Sequence, residues 1–326
     1  MPMAQRSKAF PLFLALIAVA LLATPIIAQV AGPLAPGRPP VDHSQQFDKS
    51  IQVDVEMVLV NVTVTDLQDH PLMGLQKDHF QIFENDIEQE ILTFSHEDAP
   101  MSIGLLFDMS ASMATKVDKA RRAALQILKT ANPQDDFFLV SFGNRAELTS
   151  GFTSNIEELQ GQMMSVRPKG RTALLDAIFL GIGQMKNARN RKRALVVISD
   201  GGDNHSRNDE ARIRSDLKEA DCQLYAMGIF DDHDMKRTRE ERMGPALLSE
   251  FAELTGGRVF PVSSLDELSD VAAKISMELR DRYVLGYKPG GRHDGAWRTI
   301  KVEVAAPASL LPLRVFARSG YYAPRD

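Results

Sequence analysis

The feature that most constrains this chain is a change of period at Met101. From there on, short continuous apolar runs alternate with segments whose apolar residues recur at helical spacing. Ile103 to Phe107, Phe137 to Phe142, Leu195 to Ile198, Leu224 to Ile229 and Val259 to Val262 read as strands. Val117, Ala120, Ala124, Ile127 and Leu128 fall on one helical face, as do Leu174, Leu175, Ile178, Ile182 and Met185. Ile213 to Ala220, Pro245 to Thr255 and the apolar series from Leu265 to Leu279 read as further helices, the second ended by Gly256-Gly257. Unbroken apolar runs are what strands buried on both faces require. The alternation predicts an α/β fold over residues 98–282: a doubly wound, mostly parallel, Rossmann-like sheet with helices on both faces.

The flanks read differently. In residues 49–97, Ile51, Val53 and Val55 alternate with polar residues, and Val58, Val60, Val62 and Val64 continue on the opposite parity. That parity switch near Met57 implies a bulge, a bend, or burial of both faces. Phe80, Ile82 and Phe83, then Ile91, Leu92 and Phe94, predict two more strands around a polar turn at Asn85-Asp86. After Arg282 the strand pattern returns at Tyr283 to Tyr287, Ile300 to Val304 and Leu313 to Ala317. Neither flank is long enough to bury a core by itself. The expectation is that segments 49–97 and 283–326 pack together as one flanking β domain.

The N-terminus carries Arg6 and Lys8 ahead of an apolar stretch from Ala9 to about Ala28. This is the charged-then-apolar order of a secretory signal, and residues 1–28 read as one. An uncleaved membrane anchor is the rival, since about 20 apolar residues span a bilayer. Pro11 and Pro25 crowd both ends of the run and favour cleavage. Residues 29–48, rich in Pro, Gly and Gln, read as a linker. The expected location is therefore outside the cytoplasm: periplasmic, secreted or at the cell surface.

Composition narrows the classes of function. The net charge is −5 and no long basic run occurs, which argues against a nucleic-acid partner. Cys222 is the single cysteine, so no internal disulfide can form, and one cysteine argues against a cysteine-ligated zinc site. Asp231 to Asp234 is an acidic cluster that reads as a solvated loop. Ser110 and Ser112 have no histidine in a recognisable triad setting, and no Walker loop occurs, so the chain does not read as an enzyme.

In a doubly wound sheet, ligands sit at the carboxyl ends of strands. Three loops place oxygen-bearing side chains there. Asp108-Met-Ser110-Ala-Ser112 follows the first apolar strand, Gly170-Arg-Thr172 precedes a helix, and Ser199-Asp200-Gly201-Gly202 ends a third strand. Any one of these hydroxyls alone would more often be a helix cap. Together, hydroxyls and carboxylates are hard ligands suited to Mg²⁺, Mn²⁺ or Ca²⁺. With few direct carboxylates, such an ion would keep positive charge and favour an acidic group from outside.

The Asp-x-Ser-x-Ser series, the Thr of Gly-Arg-Thr and the Ser-Asp-Gly turn resemble the metal-ion-dependent adhesion site of von Willebrand factor type A domains. The flanks, through Val62 to Asp66, Phe80 to Asn85, Tyr283 to Tyr287 and Gly320-Tyr-Tyr322, are similar to exported proteins of this type first grouped from acidobacteria. The resemblance implies that Ser110, Ser112 and Thr172 contact the metal through hydroxyls, and Asp108 and Asp200 directly or through water. It implies a protein partner whose Asp or Glu completes the coordination. Two other readings stay open: an envelope scaffold with a structural ion, and a Mg²⁺-dependent hydrolase.

Overall fold

The computed structural model describes residues 57–96, 99–229, 239–262, 264–305 and 312–325. The export segment, the linker, the first strand read at Ile51 and the Asp231–Asp234 cluster lie outside the described residues. Among the described residues no helix is long and apolar enough to cross a membrane.

Four strands come first: β1 (Val58–Thr65), β2 (Phe80–Glu84), β3 (Ile87–Gln89) and β4 (Ile91–Ser95). The α/β block then runs β5 (Met101–Asp108), α1 (Val117–Lys129), β6 (Asp136–Phe142), β7 (Ala146–Thr153), α2 (Ile156–Ser165), α3 (Leu174–Met185) and β8 (Lys192–Ser199). It continues through α4 (Glu210–Glu219), β9 (Gln223–Gly228), α5 (Arg239–Thr255), β10 (Val259–Pro261) and α6 (Leu268–Arg280). Four more strands end the chain: β11 (Tyr283–Tyr287), β12 (Trp297–Val304), β13 (Arg314–Ala317) and β14 (Gly320–Tyr322).

The central sheet has the order β10-β9-β8-β5-β6-β7, parallel except for β7. Its strands are buried on both faces, as the unbroken apolar runs require. Met101, Ile103, Leu105 and Phe107 of β5 pack with α1, α2 and α6 on one side. Leu106, with Phe138 and Val140, packs with α3, α4 and α5 on the other. Gly104 stands where a side chain cannot: a Cβ there would lie 2.2 Å from the Phe138 ring. From β5 the chain proceeds to β6 on one side and later to β8 on the other. The strand order therefore reverses between β5 and β8, the place where such sheets open a crevice for ligands.

The flanks form two four-stranded sheets, β13-β1-β11-β4 and β14-β12-β2-β3. Val60, Val62 and Val64 of β1, Phe80 and Ile82 of β2, and Tyr283, Leu285 and Tyr287 of β11 share one core, so the two sheets close as a sandwich. β1 is buried on both faces, since Thr63 and Thr65 are also fully covered. The sandwich is tied to the α/β block through Arg258. Its guanidinium donates to Asp69 Oδ1 at 2.6 Å, contacts the Glu278 carboxylate of α6, and lies over the rings of Phe260 and Phe316.

Three expectations need correction. Asn85-Asp86 turns the chain from β2 into β3, not into the strand at Ile91, which joins the other sheet. Both turn residues have positive φ, 50° and 64°, the requirement of a tight hairpin. β7 and α2 were not expected from the sequence. β7 is an edge strand with two register irregularities, and α2 buries only Leu159 and Met163, so neither has a clear period. Finally, α5 begins before Pro245 and carries it inside, where proline removes one helical hydrogen bond.

Candidate metal centre

Two loops at the reversal point supply four of the five expected side chains. Asp108 is the last residue of β5, and Asp200 directly follows β8. Asp108 is fully buried. Its Oδ1 accepts from the Ser110 backbone N–H at 2.8 Å, and its Oδ2 accepts from the Ser199 hydroxyl at 2.6 Å. The Ser110 and Ser112 hydroxyls are 3.0 Å apart, and Ser112 donates to Asp200 Oδ1 at 3.0 Å. Asp108, Ser110, Ser112 and Asp200 thus form one cluster, joined through hydrogen bonds and by the proximity of the two carboxylates.

Thr172 comes from the neighbouring loop and is 4% exposed. That loop is stitched to the first by two backbone bonds, Ala111 N–H to Gly170 C=O at 3.0 Å and Lys169 N–H to Met109 C=O at 2.8 Å. Thr172 is also held by Asn204, whose Oδ1 accepts from the Thr172 N–H at 2.9 Å while its own N–H donates to the Thr172 carbonyl at 3.0 Å. Gly201 and Gly202 follow Asp200 with φ of 89° and 77°, a turn that residues with a Cβ rarely make.

The helix-cap alternative is decided by geometry. Ser110 precedes a short 3-10 turn, Lys116 stands at the cap of α1 and Ala173 at that of α3, and none of these three ends has a side-chain cap bond. Among the described residues, side-chain caps are found on α2, through Asn155, on α4, through Asp209, and on the 3-10 turn before α6, through Ser264. The site hydroxyls are not spent on helix ends.

Burial, with the nearby charge of Asp200 adding to it, pushes the Asp108 carboxyl up to about 7, against the pull of the Ser199 and Ser110 hydrogen bonds. Two carboxylates in one desolvated pocket call for positive charge. The donor set of hydroxyls and carboxylates fits a hard divalent cation, and such an ion would restore Asp108 to its charged form. One cation of the chain itself is already close. Lys116 Nζ donates to Asp200 Oδ2 at 2.9 Å, and both side chains are largely buried.

Sequence reasoning missed Lys116, Asn204 and the part played by Ser199. Ser199 stood within the Ser-Asp-Gly turn, but nothing in its spacing showed that it serves Asp108. Cys222 is buried just before β9, and its thiol is pushed up to about 12 by burial, as befits a core residue. Asp135 and Asp136 are structural: Asp135 accepts from the Met101 N–H at 2.8 Å and Asp136 from the Ser102 hydroxyl.

The α/β block is similar to known proteins. Residues 103–202 match the family model described as von Willebrand factor type A domain. The chain is 27% identical over 162 residues to inter-alpha-trypsin inhibitor heavy chain H1 of Sus scrofa, covering 43% of this chain and 18% of that protein. It is 22% identical over 149 residues to heavy chain H4 of Bos taurus, covering 41% and 16%. The chain thus spans less than a fifth of the length of these curated relatives. Among solved structures, it is similar to the von Willebrand factor type A protein from Catenulispora acidiphila, with 13% identity, a TM-score of 0.49, and 75% of each chain covered. It is also similar to BatB from Bacteroides thetaiotaomicron, with 19% identity and a TM-score of 0.43, over 55% of this chain and 98% of that one.

Proposed function

Since the α/β block carries a von Willebrand factor type A domain, we propose that this protein is a metal-dependent binding module of an exported protein. Asp108, Ser110, Ser112, Thr172 and Asp200 hold Mg²⁺, or Mn²⁺ or Ca²⁺ in its place. A protein partner supplies an Asp or Glu side chain that completes the coordination. The observation that carries this reading is the convergence of Asp108, Ser110, Ser112 and Asp200 at the strand-order reversal, with hydroxyls that cap no helix. The bound ion would supply a positive charge open to an anionic ligand. The residues of the chain do the rest: Ser199 and the Ser110 N–H orient the Asp108 carboxylate, and Asn204 fixes the Thr172 backbone.

A serine-nucleophile hydrolase is disfavoured because neither serine is poised for attack. Ser110 bonds Ser112, and Ser112 bonds Asp200, and among the described residues no histidine is hydrogen-bonded to either hydroxyl. Export rests on the charged-then-apolar N-terminal segment.

The test is titration calorimetry of the chain with Mg²⁺ and Mn²⁺, comparing wild type with Asp108→Ala. Saturable 1:1 binding lost in the variant, with the thermal midpoint of the metal-free wild type little below that of the loaded form, is expected. Equal binding by both forms would sink the proposal. Unfolding on chelation would instead favour a purely structural ion.

A further inference from the structure

Among the described residues, the exposed surface beside the metal loops is rich in cations. Lys169 and Arg171 flank Gly170, whose carbonyl is bonded to the Asp108 loop, and both are exposed. Arg145 follows β6 at the same end of the sheet, Arg167 lies just before Lys169, and Arg207 lies just past Asn204; all three are exposed. Two clefts run between these cations. One, of about 280 Å³, is lined by Arg145, Arg167 and Lys169, with Met109, Phe142 and Val166 giving it an apolar floor. The other, of about 680 Å³, is lined by Arg145, Arg171 and Arg207 together with Asn204 and His205. They share Asn144 and Arg145, so they form one arc around the site.

Apart from Glu147, the described acids of this region are held in place by bonds within the chain. Asp200 pairs with Lys116, and Asp203 accepts from the Ser206 hydroxyl and the Leu175 N–H. Asp176 accepts from the Arg207 and Asn208 N–H groups, and Asp209 caps α4. By contrast, Arg145, Arg167, Lys169, Arg171 and Arg207 have no ion-pair partner among the described residues. Glu147 is the one acid in the lining of either cleft. A chain of net charge −5 therefore concentrates unpaired positive charge where its proposed ligand would dock.

We propose that this arc selects a protein partner presenting an acidic segment, several Asp or Glu residues in succession, rather than a lone carboxylate. The inference rests on the proposed binding role and names the class of partner. One acid of the segment would meet the metal, and its neighbours would lie along the two clefts. Complementary charge of this kind raises association rate and rejects neutral partners. The apolar floor suits the side chain of a peptide. A single-stranded nucleic acid would call for a series of exposed aromatic rings on which successive bases stack, and the two clefts offer only the imidazole of His205, Phe142 being buried.

The test measures binding of a labelled oligoglutamate peptide to the full chain by fluorescence anisotropy, in Mg²⁺ and in EDTA, with an oligoglutamine peptide as control. Three proteins are compared: wild type, Asp108→Ala, and the triple variant Arg145→Gln/Arg167→Gln/Arg207→Gln. Because the three arginines are exposed, the triple variant is expected to keep the wild-type thermal midpoint and Mg²⁺ affinity. Its affinity for oligoglutamate should fall about tenfold at low salt, with a flatter salt dependence. Wild-type affinity in the triple variant overturns the inference while leaving the metal-dependent role standing if Asp108→Ala still abolishes binding. Undiminished binding by Asp108→Ala, lost in the triple variant, overturns the metal-dependent role and keeps the arc. Tighter binding of a sulfated oligosaccharide or of single-stranded DNA than of oligoglutamate overturns the choice of a protein partner.

Discussion

At the scale of the residue, Lys116 would set how readily the proposed site accepts an ion. Its ammonium holds Asp200 from a largely buried position, so a cation entering the proposed site would have to compete with it. Lys116→Met is expected to bind Mg²⁺ about fivefold more tightly, the worth of a partly buried pair of about 1 kcal/mol. Calorimetry with the metal alone checks this, and unchanged or weaker binding would show that Lys116 is not a competitor. Asp108 and Asp200 were legible in the sequence because each ends an apolar run, and strand ends in such sheets are where ligands sit. Lys116 was not, because a lysine after a loop is ordinarily a solvated side chain and only the fold brings it to Asp200. The role of Ser199 was not legible either, since a strand residue's partner across the sheet has no trace in local spacing.

At the scale of the element, α6 and the sandwich share one ion network. Arg258 joins Asp69, beyond β1, to Glu278 on α6. Burial pushes the Glu278 carboxyl up to about 7 even with Arg258 beside it. Its proton therefore favours the fold: this contribution is full below the ordinary value of 4.5 and is lost as pH rises through about 7. Arg258→Met removes the compensating charge and raises that carboxyl further. The variant should lose about 3–5 kcal/mol at pH 8 in a denaturant titration, the usual cost of stranding one member of a buried pair, and clearly less at pH 5.5, where Glu278 is protonated in both forms. A deficit independent of pH would place the loss in packing against Phe260 and Phe316 instead. The long elements of the α/β block were legible because both faces of their strands are apolar. β7 and α2 were not, since an irregular edge strand and a helix with two buried residues have too little period to read.

At the scale of the whole molecule, the chain folds as an α/β block set within a β sandwich. The sequence suggested the pairing of the two flanks only through their shortness, because partners separated by nearly the whole chain leave no local signal; register came from the structure. β1 lies between β11 and β13, so it depends on the C-terminal segment for both neighbours. Deleting residues 283–326 should therefore leave β1, β2 and β4 without a closed core. Limited proteolysis should then cut within residues 57–95 while the α/β block persists as a protected fragment. A truncated chain that is monomeric and protected throughout would contradict this.

β4 and β11, the strands on either side of the α/β block, are antiparallel neighbours, with Ser95 opposite Val284 and Phe94 opposite Leu285. Seen from the sandwich, everything between them is the loop of a hairpin. A pull applied along the polypeptide from end to end would pass through the strands of the sandwich first. The inserted block would feel no tension until β4 and β11 parted, so a partner bound at the proposed metal face would be held by a domain mechanically sheltered from such a pull.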